Sequence, residues 1–305
     1  MAYILTDKIK IGVSACNFGA LVRYNRKGWD RIGLLSREKD AFIWTPVCPE
    51  AMSGLGVPRE PMKLVNGTGD DFWHGRAKMR NKKGRDVSEE LRAGAESCLA
   101  ALKRADIEAF VFMEGSPSCG VYRTTLKDKR LGKPPGVFGS LLLRSGFFLI
   151  PAIDLDSPLK WWDWRRRLHA FVWLKRAAIP GKKDIYDLWH NYKFLCQEIN
   201  DKEARARGRE LAGLPARLPR ETAENWRSAT LLLLRQPVPE KRIRAALAKH
   251  CAFYKKHSAK EGRACDLPRL NSSKRDFVAA VMSMEKEAFA QGIEFAGAPV
   301  LYRGR

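Results

Sequence analysis

Three short apolar runs in the first half of the chain, Ile9 to Val13, Phe42 to Val47 and Ala109 to Met113, each lead within a few residues to a cysteine set among small residues, proline or glycine. The turns read Val13-Ser14-Ala15-Cys16-Asn17-Phe18-Gly19, Pro46-Val47-Cys48-Pro49-Glu50 and Gly115-Ser116-Pro117-Ser118-Cys119-Gly120. Runs this short, rich in β-branched and aromatic residues, predict buried strands. Amphipathic segments alternate with them. In Ser88 to Ala105, Leu91, Ala95, Cys98, Leu99 and Leu102 share one helical face, with Asp86 and Glu89 as the expected capping pair. Gly136 to Ser145 reads as a further helix and Phe147 to Ile150 as a further strand. This order predicts an α/β domain over residues 1–155, with a mainly parallel sheet and flanking helices. If the strands run parallel in one sheet, the three thiols emerge together at its carboxyl edge, where open α/β sheets hold ligands. Between these elements, Gly54 to Lys83 is rich in Gly, Pro, Arg and Lys, and Arg76 to Arg80 with Arg85 to Val87 suggests a hairpin turning at Asn81 to Gly84.

After Asp154-Leu155-Asp156-Ser157-Pro158 the periodicity becomes helical. Trp161 to Arg176, Asp184 to Gly208, Glu221 to Arg235, Glu240 to Lys256 and Ser273 to Gln291 predict an all-α domain over residues 156–305. The chain of 305 residues carries 56 Lys and Arg against 34 Asp and Glu, a formal charge of +22, with the larger share of the excess in this second half. Such an excess points to nucleic acid or another anionic surface. Arg165-Arg166-Arg167, Arg205-Ala206-Arg207-Gly208-Arg209 and Lys241-Arg242-Ile243-Arg244 are the densest clusters, interleaved with Trp161, Trp162, Trp164, Trp173, Trp189 and Tyr192. The cations would neutralise phosphates and exposed aromatics would stack on unpaired bases; the plainer reading makes the tryptophans core. No apolar stretch reaches the ~18 residues of a membrane span, the start lacks a secretion signal, and seven cysteines in no disulfide spacing fit a reducing compartment. A cytoplasmic protein with no membrane partner is expected.

Cys16, Cys48 and Cys119 form no short zinc motif, and free cysteine is often a small buried hydrophobe. Their shared setting points instead to a soft-metal site with one open position, for which zinc and a 4Fe-4S cluster are both natural occupants. Cys98 sits on the apolar stripe of its helix and reads as core. Cys196, Cys251 and Cys265 have no partner spacing, Cys265 being the weakest choice for a fourth ligand, and none of the five histidines is assigned to metal.

Val13-Ser14-Ala15-Cys16, Val22-Arg23-Tyr24, Pro46-Val47-Cys48-Pro49-Glu50, Gly54-Leu55 with Pro58-Arg59-Glu60-Pro61, Ser116-Pro117-Ser118-Cys119-Gly120 and Gly136-Val137-Phe138 occur in the order and spacing of a bacterial family whose characterised members are thiouracil desulfidases. Residues 8–153 resemble that family nearly end to end. The resemblance implies a 4Fe-4S cluster ligated by Cys16, Cys48 and Cys119, whose fourth iron takes a thiocarbonyl sulfur. Two features depart from the family: Asn25-Arg26 stands where Asp-Gly is usual, and the segment after Cys119 is shorter and more basic. Desulfidation needs a water activated by a general base. Glu50 is the first choice, ahead of Glu114 and Glu60; the plainer role for Glu50 is a salt bridge to a loop arginine. Ser116 and Ser118 would hydrogen-bond the pyrimidine or the cluster, and Arg23, Tyr24 and Arg59 would hold the substrate. The substrate expected is a thiolated pyrimidine, thiouracil or thiouridine, the latter in tRNA if the basic half binds RNA; some relatives that carry an appended helical domain act on thiolated uridine in tRNA. The rival reading is a zinc-stabilised RNA-binding protein without catalysis.

Overall fold

The computed structural model describes residues 2–124, 133–215, 218–258 and 274–303. Cys265 and most of the basic segment after Cys119 lie outside the described residues. The chain divides into two compact units, Lys8–Asp156 and Met1–Asp7 with Ser157–Arg305. The first seven residues thus group with the second half, because β1 (Tyr3–Leu5) pairs in parallel with the C-terminal strand, Tyr3 opposite Val300.

The first unit is mixed α/β. Its sheet contains β2 (Ile9–Ser14) and β3 (Phe42–Val47), which is followed at once by the short α1 (Pro49–Met52). Then come β4 (Met62–Val65), α2 (Gly69–Trp73), β5 (Lys78–Asn81), α3 (Ser88–Arg104), β6 (Ala109–Phe112), α4 (Val137–Arg144) and β7 (Phe148–Pro151). The main sheet is wholly parallel with strand order β3-β2-β6-β7. Its inner strands are deeply buried: every residue of β6, and all of β2 except Lys10. Pro46 is tolerated because β3 lies at an edge, where no neighbour awaits its missing N–H.

The hairpin expected around Asn81 to Gly84 is present as a tight turn, with Arg80 bridging Asp86, but β5 finds its main partner in β4, Met62 opposite Asn81. β4 and α2 arise inside the stretch read as loop. The alternation of buried Met62 and Leu64 with exposed Lys63 was its only local sign. No capping pair closes α3: its N-cap is Val87, and Asp86 instead accepts from the Ser88 N–H. Cys98 lies in the core with Leu91, Ala95 and Leu102.

The second unit is helical. It contains α5 (Pro158–Arg176), α6 (Lys182–Ile199), α7 (Asp201–Ala212), α8 (Arg220–Leu234), α9 (Glu240–His257) and α10 (Lys274–Ala290), closed by β8 (Val300–Tyr302). The helix expected over 184–208 is two helices: Asn200 takes extended backbone and its side chain accepts from the Glu203 N–H, capping α7. α5 is buried nearly all round, Trp161, Trp162 and Trp164 included, so these tryptophans are core rather than stacking platforms. The Arg165 to Arg167 run is likewise turned inward. Asp163 pairs with both Arg166 and Arg167, Arg166 also reaches Glu198, and Arg165 pairs with Glu285. Burial pushes the Asp163 carboxyl up, but the two guanidiniums outweigh it and hold it below the usual range. Among the described residues no helix is long and apolar enough to cross a membrane.

Candidate active site

All three predicted cysteines stand at the carboxyl edge of the parallel sheet and line one cavity of about 480 Å³ in the first unit. Cys16 sits in a single 3-10 turn, Ala15–Asn17, directly after β2. Cys48 is the N-cap of α1, where Pro49 starts the helix at the end of β3. Cys119 lies in the loop after β6. The edge is a switch point, since the chain leaves β2 to one side for β3 and returns to the other for β6.

Each turn is held from below. Ser116 accepts the Cys119 N–H at 3.1 Å through its hydroxyl and the Gly120 N–H at 2.9 Å through its carbonyl. The first turn of α4 aims its amides at the same loop, Phe138 N–H reaching the Ser118 carbonyl at 2.8 Å. This approach leaves no room for a side chain at Gly139, where a Cβ would meet the Gly120 carbonyl oxygen at 2.2 Å. The Cys16 turn is tied to β6 by Asn17, fully buried, whose amide donates to the Met113 sulfur and whose carbonyl accepts from Arg31. Ser14 Oγ accepts the Met113 N–H at 3.1 Å. Asn17 and Met113 were not singled out in the sequence, because their pairing spans 96 residues.

Glu50 projects from α1 into the cavity. Its Oε1 accepts from Ser118 Oγ at 2.5 Å and from Ser116 Oγ at 3.4 Å, while the two serine hydroxyls are 2.9 Å apart. Its Oε2 accepts from Nε and Nη2 of Arg59. Arg59 also gives Nη1 to the carbonyls of Val22 at 2.9 Å and Gly56 at 3.1 Å. The salt bridge to a loop arginine is therefore real, and it holds the carboxylate on the cavity wall. Arg59, expected at the substrate, has these donors engaged by protein. Glu114 is buried and accepts the N–H groups of Val121, Tyr122 and Arg123, each at 3.3 Å, so it shapes the loop. Glu60 lines the cavity and pairs with Lys83.

Arg23 and Tyr24 also line the cavity, Tyr24 being 38% exposed and its carbonyl accepting the Arg59 N–H at 3.0 Å. The Arg23 guanidinium lies 4.2 Å from the Trp29 ring centroid, and its buried Nε has no hydrogen-bond partner among the described residues. Arg26 holds φ at +56°, the left-handed region that glycine takes freely.

The electrostatics of the thiols are shared. Burial pushes the Cys16 thiol up to about 11, with Cys48 and Glu50 adding and Arg23 opposing. Burial and Glu50 raise Cys48 against the backbone N–H groups of Ala51 and Glu50. Cys119 is raised furthest, by burial first and then by Cys48, Glu50 and Cys16. Three thiols that perturb one another line a common wall, yet among the described residues no three His, Cys, Asp or Glu side chains converge to hold a single metal ion.

Comparison with known proteins covers the first half of the chain. The uncharacterized protein YbbK of Bacillus subtilis (strain 168) is 36% identical over 152 residues, 48% of this chain and 98% of that protein. A solved [4Fe-4S]-dependent thiouracil desulfidase, TudS, is 29% identical, covering 49% of this chain and 94% of that one with a TM-score of 0.40. The family model described as 2-thiouracil desulfurase matches residues 11–153, the stretch that carries all three cavity cysteines and Glu50. The chain belongs to the 2-thiouracil desulfurase family.

Proposed function

We propose that the first unit is a desulfidase: it removes the sulfur of a thiolated pyrimidine, thiouracil or thiouridine, by hydrolysis, using a 4Fe-4S cluster held by Cys16, Cys48 and Cys119. The observation that carries this reading is the meeting of three thiols, a carboxylate and the Ser116 hydroxyl on one cavity of about 480 Å³, with Ser118 bonded to the carboxylate behind the wall. The donor set fits the group. Three soft thiols, those of Cys16 and Cys119 buried and that of Cys48 half-buried, suit iron and sulfide. When bound, such a cluster supplies a soft Lewis acid that draws electron density from the thiocarbonyl.

The balance is simple: water adds its oxygen to the ring carbon, the C=S bond is exchanged for C=O, and sulfide leaves with the two protons, so no oxidant or reductant is consumed. Glu50 takes the first proton from water. Arg59 keeps Oε2 occupied, so Oε1 is the working oxygen. Ser116, at the cavity, and Ser118, fully buried, connect that oxygen to the substrate as a hydroxyl relay. Arg23 and Tyr24, on the same cavity, would contact the pyrimidine. The cytoplasm suits free thiols, and the exposed cations of the second unit support thiolated tRNA as the larger substrate.

The test is iron, zinc and acid-labile sulfide content of protein purified without oxygen, followed by turnover of thiouracil, a thiouridine monophosphate and thiolated tRNA. About four iron and four sulfide per chain are expected. Replacing Cys16, Cys48 or Cys119 singly by Ser is expected to remove most of the iron, and Cys98→Ala to keep it. Zinc alone, persisting after anaerobic cluster reconstitution and without sulfide release, would establish the structural zinc protein instead.

A further inference from the structure

Arg23 carries a charge that no acid answers. It lines the cavity of the first unit half-buried, with no ion pair and no side-chain hydrogen bond among the described residues, and its Nε is sealed from solvent. A guanidinium stays protonated in proteins, so the charge is permanent. Acids that could meet it are taken: Glu50 by Arg59, Glu60 by Lys83, and Asp30 by the Gly33 N–H. A cation drawn this far out of water is ordinarily paired.

The fold keeps the group in place from several sides. After Cys16 the chain runs out and returns at Trp29, whose N–H donates to the Cys16 carbonyl at 2.6 Å and whose carbonyl accepts the Gly19 N–H at 3.0 Å. The Trp29 ring thus hangs from the Cys16 turn, and the Arg23 guanidinium lies on it at 4.2 Å, with the Tyr24 ring centroid at 5.9 Å. Contacts of this kind fix the position of a cation but bring no negative charge to it. The backbone on either side of Arg23 is pinned as well. Arg59 donates Nη1 to the Val22 carbonyl at 2.9 Å and its own N–H to the Tyr24 carbonyl at 3.0 Å. A tight turn closes the loop, with the Arg23 N–H on the Lys27 carbonyl at 3.2 Å and the Arg26 N–H on the Arg23 carbonyl at 3.0 Å. The side chain therefore stays on the cavity wall it shares with the three thiols.

Cysteines bind metal as thiolates, and three of them leave a loaded iron-sulfur site with net negative charge. We propose that Arg23 is the fixed counter-ion of that loaded group, a positioning charge in addition to its contact with the pyrimidine. The cation favours electron density added to the cluster, which raises both its reduction potential and its pull on a thiocarbonyl. This role rests on the cluster reading proposed above, and within it gives an electrostatic task to a residue that ligates nothing.

The test compares full-length wild type, Arg23→Gln, Arg23→Lys and Trp29→Leu, all purified without oxygen. Iron content, thermal midpoint, the reduction potential from a redox titration followed by electron paramagnetic resonance, and thiouracil kcat and KM are measured. Arg23→Gln is expected to lower the equilibrium constant for one-electron reduction about tenfold, ~59 mV, and Arg23→Lys to restore most of it. Trp29→Leu keeps the backbone contacts to the Cys16 turn and frees the guanidinium. Its potential is expected to fall in the same sense, and it carries the test if Arg23→Gln does not hold iron. An iron-loaded variant without the charge or its platform, at the wild-type potential, overturns the counter-ion role; a raised KM beside that unmoved potential leaves Arg23 as a substrate contact alone. Arg23→Lys as low as Arg23→Gln also overturns it, because charge would then not be the cause. Wild type without iron and sulfide overturns the cluster reading itself, a failure that the iron assay tells apart.

Discussion

Glu50 shows what a single side chain can be asked to do. It is held by Arg59 on one oxygen and by two serines on the other, with side-chain exposures of 14% for the carboxylate and 5% for the guanidinium. A general base typically contributes 10²- to 10⁴-fold, so Glu50→Gln is expected to lower kcat by about that range while leaving iron content unchanged; a variant turning over at the wild-type rate would remove Glu50 from the chemistry. Arg59→Met leaves the carboxylate buried without its partner, at a cost of about 3 kcal/mol or more. Its thermal midpoint should fall, and its kcat with it, whereas Arg59→Lys should recover stability in part because one of the two parallel contacts to Oε2 survives. A salt bridge to some loop arginine was visible in the sequence as an alternative for Glu50, but its identity as Arg59, expected at the substrate, was not. Nor was it visible that the bridge serves the cavity rather than the surface, since the two residues stand nine positions apart across a loop whose path only the fold sets.

At the scale of elements, α3 supports the site by letting α1 lie against it. Gly94 is the contact: a Cβ there would meet the Pro49 carbonyl oxygen at 2.3 Å and the Ser53 nitrogen at 2.7 Å, both backbone atoms that cannot swing away. Gly94→Ala is therefore expected to displace α1, with Cys48 and Glu50 on it, at about 1–3 kcal/mol in stability and with loss of iron, read from a denaturant melt and an iron assay. A second prediction concerns α5 and α9. His169 is held down to about 3, by burial first and then by Arg165, and His250 is held down to the same value. The unfolded chain takes up a proton on each near pH 6.5 and the folded chain does not, so the unfolded state binds more protons between about pH 6.5 and 3. Stability of the second unit should be fully present above that window and fall through it on acidification, by up to about 1.4 kcal/mol per pH unit per histidine. His169→Phe should flatten the slope; an unchanged slope would mean the imidazole is not buried neutral. The break between α6 and α7 was legible in principle, as Asn200 followed three residues later by Glu203 is a cap signal, but the apolar period running across it masked the signal.

For the whole molecule, net charge overstates the basic surface. Arg165, Arg166 and Arg167 are spent inside the helical unit, and Arg205, Arg207 and Arg244 pair with acids on their own helices. Arg209, Lys241, Lys249, Lys255 and Lys256 are among the exposed cations of the second unit with no ion pair among the described residues. RNA affinity should therefore fall with salt at about 0.7 log units per log unit for each phosphate neutralised, and charge-reversing Lys255 and Lys256 should lower the slope. A chain of residues 8–156 should retain iron and free-thiouracil turnover while losing affinity for tRNA; the cut must spare neither Met1–Asp7 nor β8, which fold together. By itself the sequence determined the alternation of strand and helix, the parallel sheet and the three thiols at its edge, because strand period, β-branched composition and turn chemistry are local properties written in neighbouring residues. Only the tertiary structure decided which cations reach solvent, which glutamate faces the thiols, and that the helical unit holds a second cavity. Each of these depends on side chains tens to more than a hundred residues apart being brought into contact, and burial and pairing at that range are properties of packing, not of any local stretch of chain.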